Sequence, residues 1–516
     1  MKDSLRQSMA LVHTWSGLVL GWLLFAMFAT GTSAYFQDEI TRWMQPEVTG
    51  DADPVKSAQG AVEFLQRTAP DATLWYLTLP NGRSATTQLF WSPAAEGSSR
   101  TQAVVDESGR EVTARETRGG YFLYRFHFDL HYLPVIWARY LVGIAAMFML
   151  VAILSGVITH KKIFADFFML RFGKGQRSWL DAHNVTAVLA LPFHLMITFT
   201  GLVTLMAMYM PWGILANYAA PDTFQAQVFG DAPVVERSGK KAPMVDLIPL
   251  MKTASARWGD RQVGFVRINN PGDATATIEL TRASGQAMGS RGEVLTFDGA
   301  TGREIGASAS KGAALATESV MIGLHTGRFS GIALRWFYFL SGLAATAMVG
   351  TGLVLWTVKR RQRLPDPSRP HFGFRLVERL NITAIAGLGA GIPAYFLANR
   401  LLPTGIPDRP EWEINTLFLV WLGVLLWALV RPPLRGWIES LSLAGLLYAA
   451  VPFVNAFTTN RGMPVSLMRG DWLFVSFDLV MLAFAVAFAT GAAKLSARSR
   501  RQPSDRPVRG ERAMQA

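Results

Sequence analysis

Eight long apolar runs divide the chain, at about 10–36, 137–159, 182–210, 331–357, 380–401, 414–430, 437–457 and 472–493. Each approaches the ~20 residues that a helix needs to cross the hydrocarbon core of a bilayer, and the sixth is the shortest. The first, LVHTWSGLVLGWLLFAMFATGTSAYF, follows a basic start. It far exceeds the roughly 7–15 apolar residues of a signal-peptide core and reads as an uncleaved anchor. The two long intervals, 37–136 and 211–330, have a different period. WYLTLPNGRSATTQLFW and GFVRINNPGDATATIELTR alternate as strands, with NG and PGD supplying the turns. A helical pattern precedes each, VKSAQGAVEFLQRTA in one and MVDLIPLMKTASARWG in the other. The closing segments VVDESGREV at 104–112 and TFDGATGREI at 296–305 share one design: strand, Asp-headed turn with Gly, strand. One small α+β module is used twice.

The pattern predicts an α-helical integral membrane protein of about eight transmembrane helices with two α+β lobes. Helix 1 falls in 1–36, lobe 1 in 37–136, helices 2–3 in 137–210, lobe 2 in 211–330 and helix 4 in 331–357. A basic linker at 358–379, helices 5–8 at 380–493 and a basic tail at 494–516 complete the map.

Composition agrees: half of the 516 residues are hydrophobic and 17% are charged, against about 25% charged in an ordinary soluble domain. The formal net charge is +13, and the place of the cations decides its meaning. Lys2 and Arg6, the link HKKIFADFFMLRFGKGQR, the link KRRQRLPDPSRPHFGFR, the RPPLR turn and the tail KLSARSRRQPSDRPVRGER all fall on one side of the predicted spans. Cytoplasmic loops hold such an excess, so both termini are expected in the cytoplasm and both lobes outside. Because the basic runs sit beside spans, membrane lipid and not nucleic acid is the expected partner. Cysteine is absent, which excludes disulfides, thiolate-ligated iron and covalent CxxCH haem attachment.

Ionisable groups are costly in hydrocarbon and default to functional candidates. Seven of the eight histidines lie in or near the first four spans and none in the last four. In span three, WLDAHNVTAVLALPFHLMITFTGLV, His183 and His194 stand eleven residues apart. On a straight helix they point within about 20° of each other, roughly 16 Å apart along the axis. One face thus offers imidazoles at two depths, as one helix would for axial ligands to two stacked haems. His13 and His160 should lie near the depth of His183. His131, just before span two, and His325, just before span four, should lie toward the other side. Three histidines at the cytoplasmic level leave open which is a ligand and which a hydrogen-bond partner. At the outer level, a kink at Pro192 or a folded-back loop is required to bring His131 and His325 to His194. His127, four before His131, reads as a surface residue or a propionate neighbour, and His371, in a basic loop, as solvated. Arg139 and Arg335 open spans two and four, where they are candidates for haem propionates or for interfacial snorkelling. Gly17, Gly21, Gly156, Gly201 and Gly342 are candidates for close ring approach.

HxWxG at His13, Trp15 and Gly17, TH at 159–160 followed by FADFFMLR, DAHNVTAVLALPFHLMITFTGL at 181–202, and LHTGRFSG ahead of GTGLVLWTVKR together resemble PepSY-associated transmembrane proteins. The resemblance spans roughly residues 8–361. It implies that the two lobes are periplasmic PepSY-like modules, and that the chain sits in a bacterial inner membrane, as haem-containing ferrisiderophore reductases do. It further implies b-type haem held by His13, His160, His183, His194 and His325 at their matching positions, two haems being expected, while His131 is a ligand candidate from its place before span two alone. The expected activity is reduction of a ferric siderophore or other ferric chelate. Fe(III) is held by hard oxygen ligands that bind Fe(II) less well, so one-electron reduction aids release. No dinucleotide-binding unit is present: GLGAGIPA at 387–394 lies inside an apolar span with no strand before it. Quinol or a separate flavoprotein is therefore the expected electron donor. Two alternatives stay open, a PepSY-type envelope binding, sensory or protease-regulating protein, and a transporter relaying protons through histidines and Asp478 without haem. Asp478 and Glu439 are the ionisable residues in or near helices 5–8, which lie outside the resemblance.

Overall fold

The computed structural model describes residues 4–50, 52–93, 101–160, 169–220, 223–224, 235–308 and 312–501. Parts of the link at 160–177 and of the tail at 494–516, including 164–168 of the FADFFMLR motif, lie outside these residues. The chain forms two compact units, Met1–Arg115 with Gly119–Gly352, and Glu116–Arg118 with Leu353–Ala516.

In chain order, the first unit begins with α1 (Leu5–Val19), α2 (Gly21–Ala34), α3 (Gln37–Met44) and α4 (Pro54–Thr68), then β1 (Leu74–Thr78), β2 (Thr87–Ser92) and β3 (Gln102–Val105). It continues with α5 (Gly119–Asp129), α6 (Val135–Thr159), α7 (Gln176–Leu189), α8 (Leu191–Thr204) and α9 (Leu247–Arg257). It closes with β4 (Val263–Asn269), β5 (Thr277–Arg282), β6 (Val294–Asp298), β7 (Glu304–Ser308), α10 (Ala313–Thr326) and α11 (Ile332–Arg361), whose last residues belong to the second unit.

The first and third expected spans are not straight. α1 and α2 meet at 66°, and α7 and α8 at 68°. The second break falls at Ala190 (φ −111°, ψ 22°), two residues before Pro192. The proline ring lacks an N–H and crowds the carbonyl four residues back, so the α7 ladder ends there. Among the described residues six helices are long and apolar enough to cross a membrane, or eight if each bent pair is one span.

The two α+β segments join in one sheet. Its order is β3-β2-β1-β4-β5-β6-β7, antiparallel throughout, and β1 pairs with β4 at its centre, Trp75 opposite Ile268 and Leu77 opposite Val266. Alternation puts Trp75 and Leu77 inward and Tyr76 outward. α4 and α9 cover the inner face, and residues of both halves fill one core: Leu65, Leu77 and Trp91 with Leu250, Val266 and Ile268. Two separate lobes were expected from the repeat. A β1 or β4 edge left unpaired would expose a row of backbone groups, and each module supplies the other's missing strand. Both Asp-headed turns form. Asp106 accepts from the backbone N–H of Ser108 and Arg110, and Asp298 from that of Ala300 and Thr301. After the first turn, however, the chain makes only an isolated bridge, Val105 to Glu111.

The second unit holds α12 (Phe372–Ile382), a π-helical turn at Thr383–Gly387, α13 (Leu388–Leu401), α14 (Arg409–Val430), α15 (Pro433–Thr458) and α16 (Trp472–Arg501). The glycines of GLGAGIPA are packing positions. A Cβ at Gly387 would meet Trp421, at Gly389 Phe488 and at Gly391 Leu417. His371 caps α12, its Nδ1 accepting from the Phe374 N–H at 3.2 Å.

Candidate functional site

Four imidazoles of the first unit converge in two pairs. His13 of α1 and His183 of α7 have ring centroids 6.2 Å apart and planes at 69°. His127 of α5 and His325 of α10 are also 6.2 Å apart, with planes at 29°. Every one of the four is fixed in the same way, by the backbone of a different helix. His13 Nδ1 lies 2.8 Å from the Ala152 carbonyl, His183 Nδ1 2.8 Å from that of Met348, His127 Nδ1 2.6 Å from that of Met27, and His325 Nδ1 3.0 Å from that of Ile197. A carbonyl only accepts, so each Nδ1 carries the proton and donates it. The tautomer this selects leaves Nε2 as a lone-pair donor, the form in which histidine binds a metal.

A glycine accompanies each carbonyl four residues later: Gly156 after Ala152, Gly352 after Met348, Gly31 after Met27 and Gly201 after Ile197. A Cβ built on these glycines would stand 3.2, 3.1, 2.7 and 2.9 Å from Cε1 of His13, His183, His127 and His325 respectively. The rings lie where side chains would otherwise be.

The second pair borders a cavity of about 310 Å³ whose wall includes His127, His325, Gly31, Gly201, Arg83 and Arg328. Arg83 comes from the β1–β2 turn and is held by Glu39 at 2.6 Å and Asp38 at 3.2 Å. Among the described residues no three His, Asp or Glu side chains gather into a metal cage. Each pair presents two imidazoles whose Nε2 atoms are open, a donor set that could ligate the metal of a cofactor needing only two protein ligands.

The remaining expected residues are placed otherwise. His194 is fully buried, in neither pair, and neither ring nitrogen has a hydrogen-bond partner. Backbone groups of Ala187 and Ser341 face it without reaching hydrogen-bond geometry. The eleven-residue spacing assumed a straight helix, and the break at Ala190 cancels that geometry. His160 ends α6, and its Nε2 accepts from the Asn184 amide at 3.1 Å, so its Nε2 is engaged beside the first pair. His131 sits in a turn where it and Leu130 both have positive φ (54° and 53°). It packs edge-on against Phe122 and Tyr132 with centroids 5.5 and 4.5 Å away. His127, one helical turn earlier, takes the place expected for His131. Nothing in sequence distinguishes two histidines four apart on one face; only the neighbouring α2 carbonyl chooses between them.

Arg139 and Arg335 are also occupied. Arg139 pairs with Asp129 at 2.9 Å and Arg335 with Glu39 at 2.8 Å. The cations of the cavity wall are Arg83 and Arg328, neither singled out by sequence.

Comparison with known proteins agrees with this arrangement's extent. Residues 10–359, which contain all four paired histidines and their seats, match the family model described as the PepSY-associated TM region. An uncharacterised protein of Pseudomonas aeruginosa is 26% identical over 392 residues, covering 72% of this chain and 94% of the relative. The chain belongs to the PepSY-associated transmembrane family.

Proposed function

We propose that the protein is a transmembrane electron carrier with two b-type haems that reduces ferric chelates, ferric siderophores among them, on the periplasmic side of a bacterial inner membrane. The single observation that supports this most is the repeated imidazole pair, each ring protonated at Nδ1 by its bond to a carbonyl and open at Nε2. The residues fit the cofactor: pairs at two positions in one helical bundle, glycines where ring bulk needs space, and a cavity beside the second pair. His13 and His183 would hold one haem, and His127 and His325 the other. Bound haem would supply one-electron Fe(III)/Fe(II) chemistry at each position.

The chain's own residues orient and insulate. The carbonyls of Ala152, Met348, Met27 and Ile197 set ring direction, and packed apolar side chains such as Leu24, Met149 and Met348 exclude water. Arg328 would face the propionates of the second haem from the cavity wall, where Arg83 is already held by Glu39 and Asp38. The basic loops argue that His13 and His183 lie toward the cytoplasm, where a quinol or a reduced flavoprotein would deliver the electron. His127 and His325 would hold the haem on the side where the chelate is reduced. An anchor for an envelope sensor has no use for paired imidazoles, which weighs against the binding-protein alternative.

The test is a reduced-minus-oxidised visible spectrum of protein expressed with ample haem. Soret and α-band changes for two centres are expected, and a colourless protein ends the proposal. Dithionite-reduced protein mixed anaerobically with ferric chelates should reoxidise. Failure with all of them leaves an electron carrier without this acceptor class.

A further inference from the structure

The four histidine seats share a feature that pairing alone does not require. In each, the accepting carbonyl belongs to residue i and the glycine to residue i+4 of the same helix. A helical carbonyl already accepts from the N–H at i+4 and keeps a second lone pair. Side chains in a helix lean toward its N-terminus, so residue i+4 normally covers that lone pair. Removing the side chain at i+4 opens the carbonyl to a donor from outside. Four independent occurrences, on α2, α6, α8 and α11, make this a repeated device.

We propose that Gly31, Gly156, Gly201 and Gly352 are positioning residues that set the plane and hydrogen bonding of the imidazole seated on each, and thereby make the two centres electronically different. This rests on the haem reading above. A Cβ 2.7 or 2.9 Å from Cε1 at Gly31 or Gly201 would force the ring to shift on its carbonyl, and one at 3.2 or 3.1 Å at Gly156 or Gly352 would move it by a few tenths of an ångström, a smaller change of its plane. The planes matter because two nearly parallel axial imidazoles reinforce one in-plane splitting of the iron d orbitals, whereas two nearly perpendicular ones largely cancel it. The 69° pair, His13 and His183, should give a highly anisotropic low-spin ferric signal. The 29° pair, His127 and His325, should give a rhombic one. The Nδ1–H bond to a carbonyl also raises the basicity of the ligand, so its loss moves the midpoint potential of that centre upward and weakens haem retention by about 10–100-fold.

Electron paramagnetic resonance of the oxidised full-length protein tests this, after haem content has been measured. Wild type should show one highly anisotropic and one rhombic signal. Gly156→Ala and Gly352→Ala should alter only the first signal and raise only that centre's potential, and Gly31→Ala and Gly201→Ala only the second. Gly423→Ala, on α14 with nothing within 4 Å of where its Cβ would stand, should alter neither. Two identical wild-type signals, equal disturbance of both centres by one variant, or no change from any seat variant would overturn the proposal. If the alanine variants fail to accumulate, the wild-type spectrum still decides, because two signals of one class overturn the proposal. A protein without haem defeats the electron-carrier reading instead, and the haem assay separates the two failures.

Discussion

The two units bury polar side chains in opposite ways. In the second unit the central acids and bases bond to one another, although single atoms such as Arg409 Nε and Ser440 Oγ have no partner. Arg409 bonds to Glu413 and to the carbonyls of Glu116 and Asn399; Glu413 also accepts from Thr117 at 2.5 Å and Asn399 at 2.7 Å. Arg400 donates to Asn455 at 3.0 Å, and the Asn455 amide reaches Asp478 at 3.4 Å. Glu439 is held by Arg431 and by Trp427. These acids and bases are occupied with structure, and the transporter reading for Asp478 gains no support from them. In the first unit the paired imidazoles are satisfied on one nitrogen only. The contrast separates an acid or base held by several protein partners from a pair of imidazoles that face each other, each bonded at Nδ1 and open at Nε2.

The largest expected effect breaks that contrast at its functional side. His183→Ala and His325→Ala should each remove one of two haem centres, and a different one, as read by redox titration of the purified protein. If one substitution removed both centres, or both removed the same one, the pairing assigned here would fail. Next comes the structural side. Arg409→Met leaves Glu413 buried without its ion partner, which typically costs about 3–5 kcal/mol. Thermal unfolding in detergent should show a large loss, and Arg409→Met combined with Glu413→Gln should restore part of it. An additive double variant would mean that the pair is not coupled.

His194 sharpens the comparison, because it belongs to neither kind. Both ring nitrogens lack partners, and an unsatisfied buried polar group costs about 1–3 kcal/mol. His194→Leu should therefore keep both centres and melt no lower than wild type. Loss of a centre would return this residue to the ligand set. The smallest effect lies in the sheet. The Asp298 carboxyl is held below the ordinary carboxylate range, chiefly by the hydroxyl and backbone N–H of Thr301. A depressed folded value stabilises above the unfolded pKa and is lost as pH falls, here from about pH 5 downward. Asp298→Asn should flatten that part of the melting-temperature profile, and an unchanged slope would remove the turn from the acid response.

Much of the molecule is legible along the chain, for local reasons. Apolar length marks the spans, and period-two alternation with NG and PGD marks β1, β2, β4 and β5. The helical patterns at 55–69 and 244–259 mark α4 and α9. The Pro192 kink follows from a missing N–H. The pairing of His13 with His183 is harder to read, because it depends on two helices distant in sequence. His325 was visible as a candidate, but its partner was not, since His127 and His131 carry the same local signal. The propionate candidates Arg139 and Arg335 met carboxylates that only folding brought near.

The chain by itself determined which segments are apolar enough for a membrane, that a module is duplicated, that no cysteine chemistry is available and where imidazoles concentrate. These follow from composition and short-range periodicity. Tertiary structure alone decided that the two modules share one sheet, that His194 stands apart, and that four rings rest on carbonyls bared by glycines. Such choices depend on which backbone atom faces which side chain across two helices, and a one-dimensional pattern does not encode that distance.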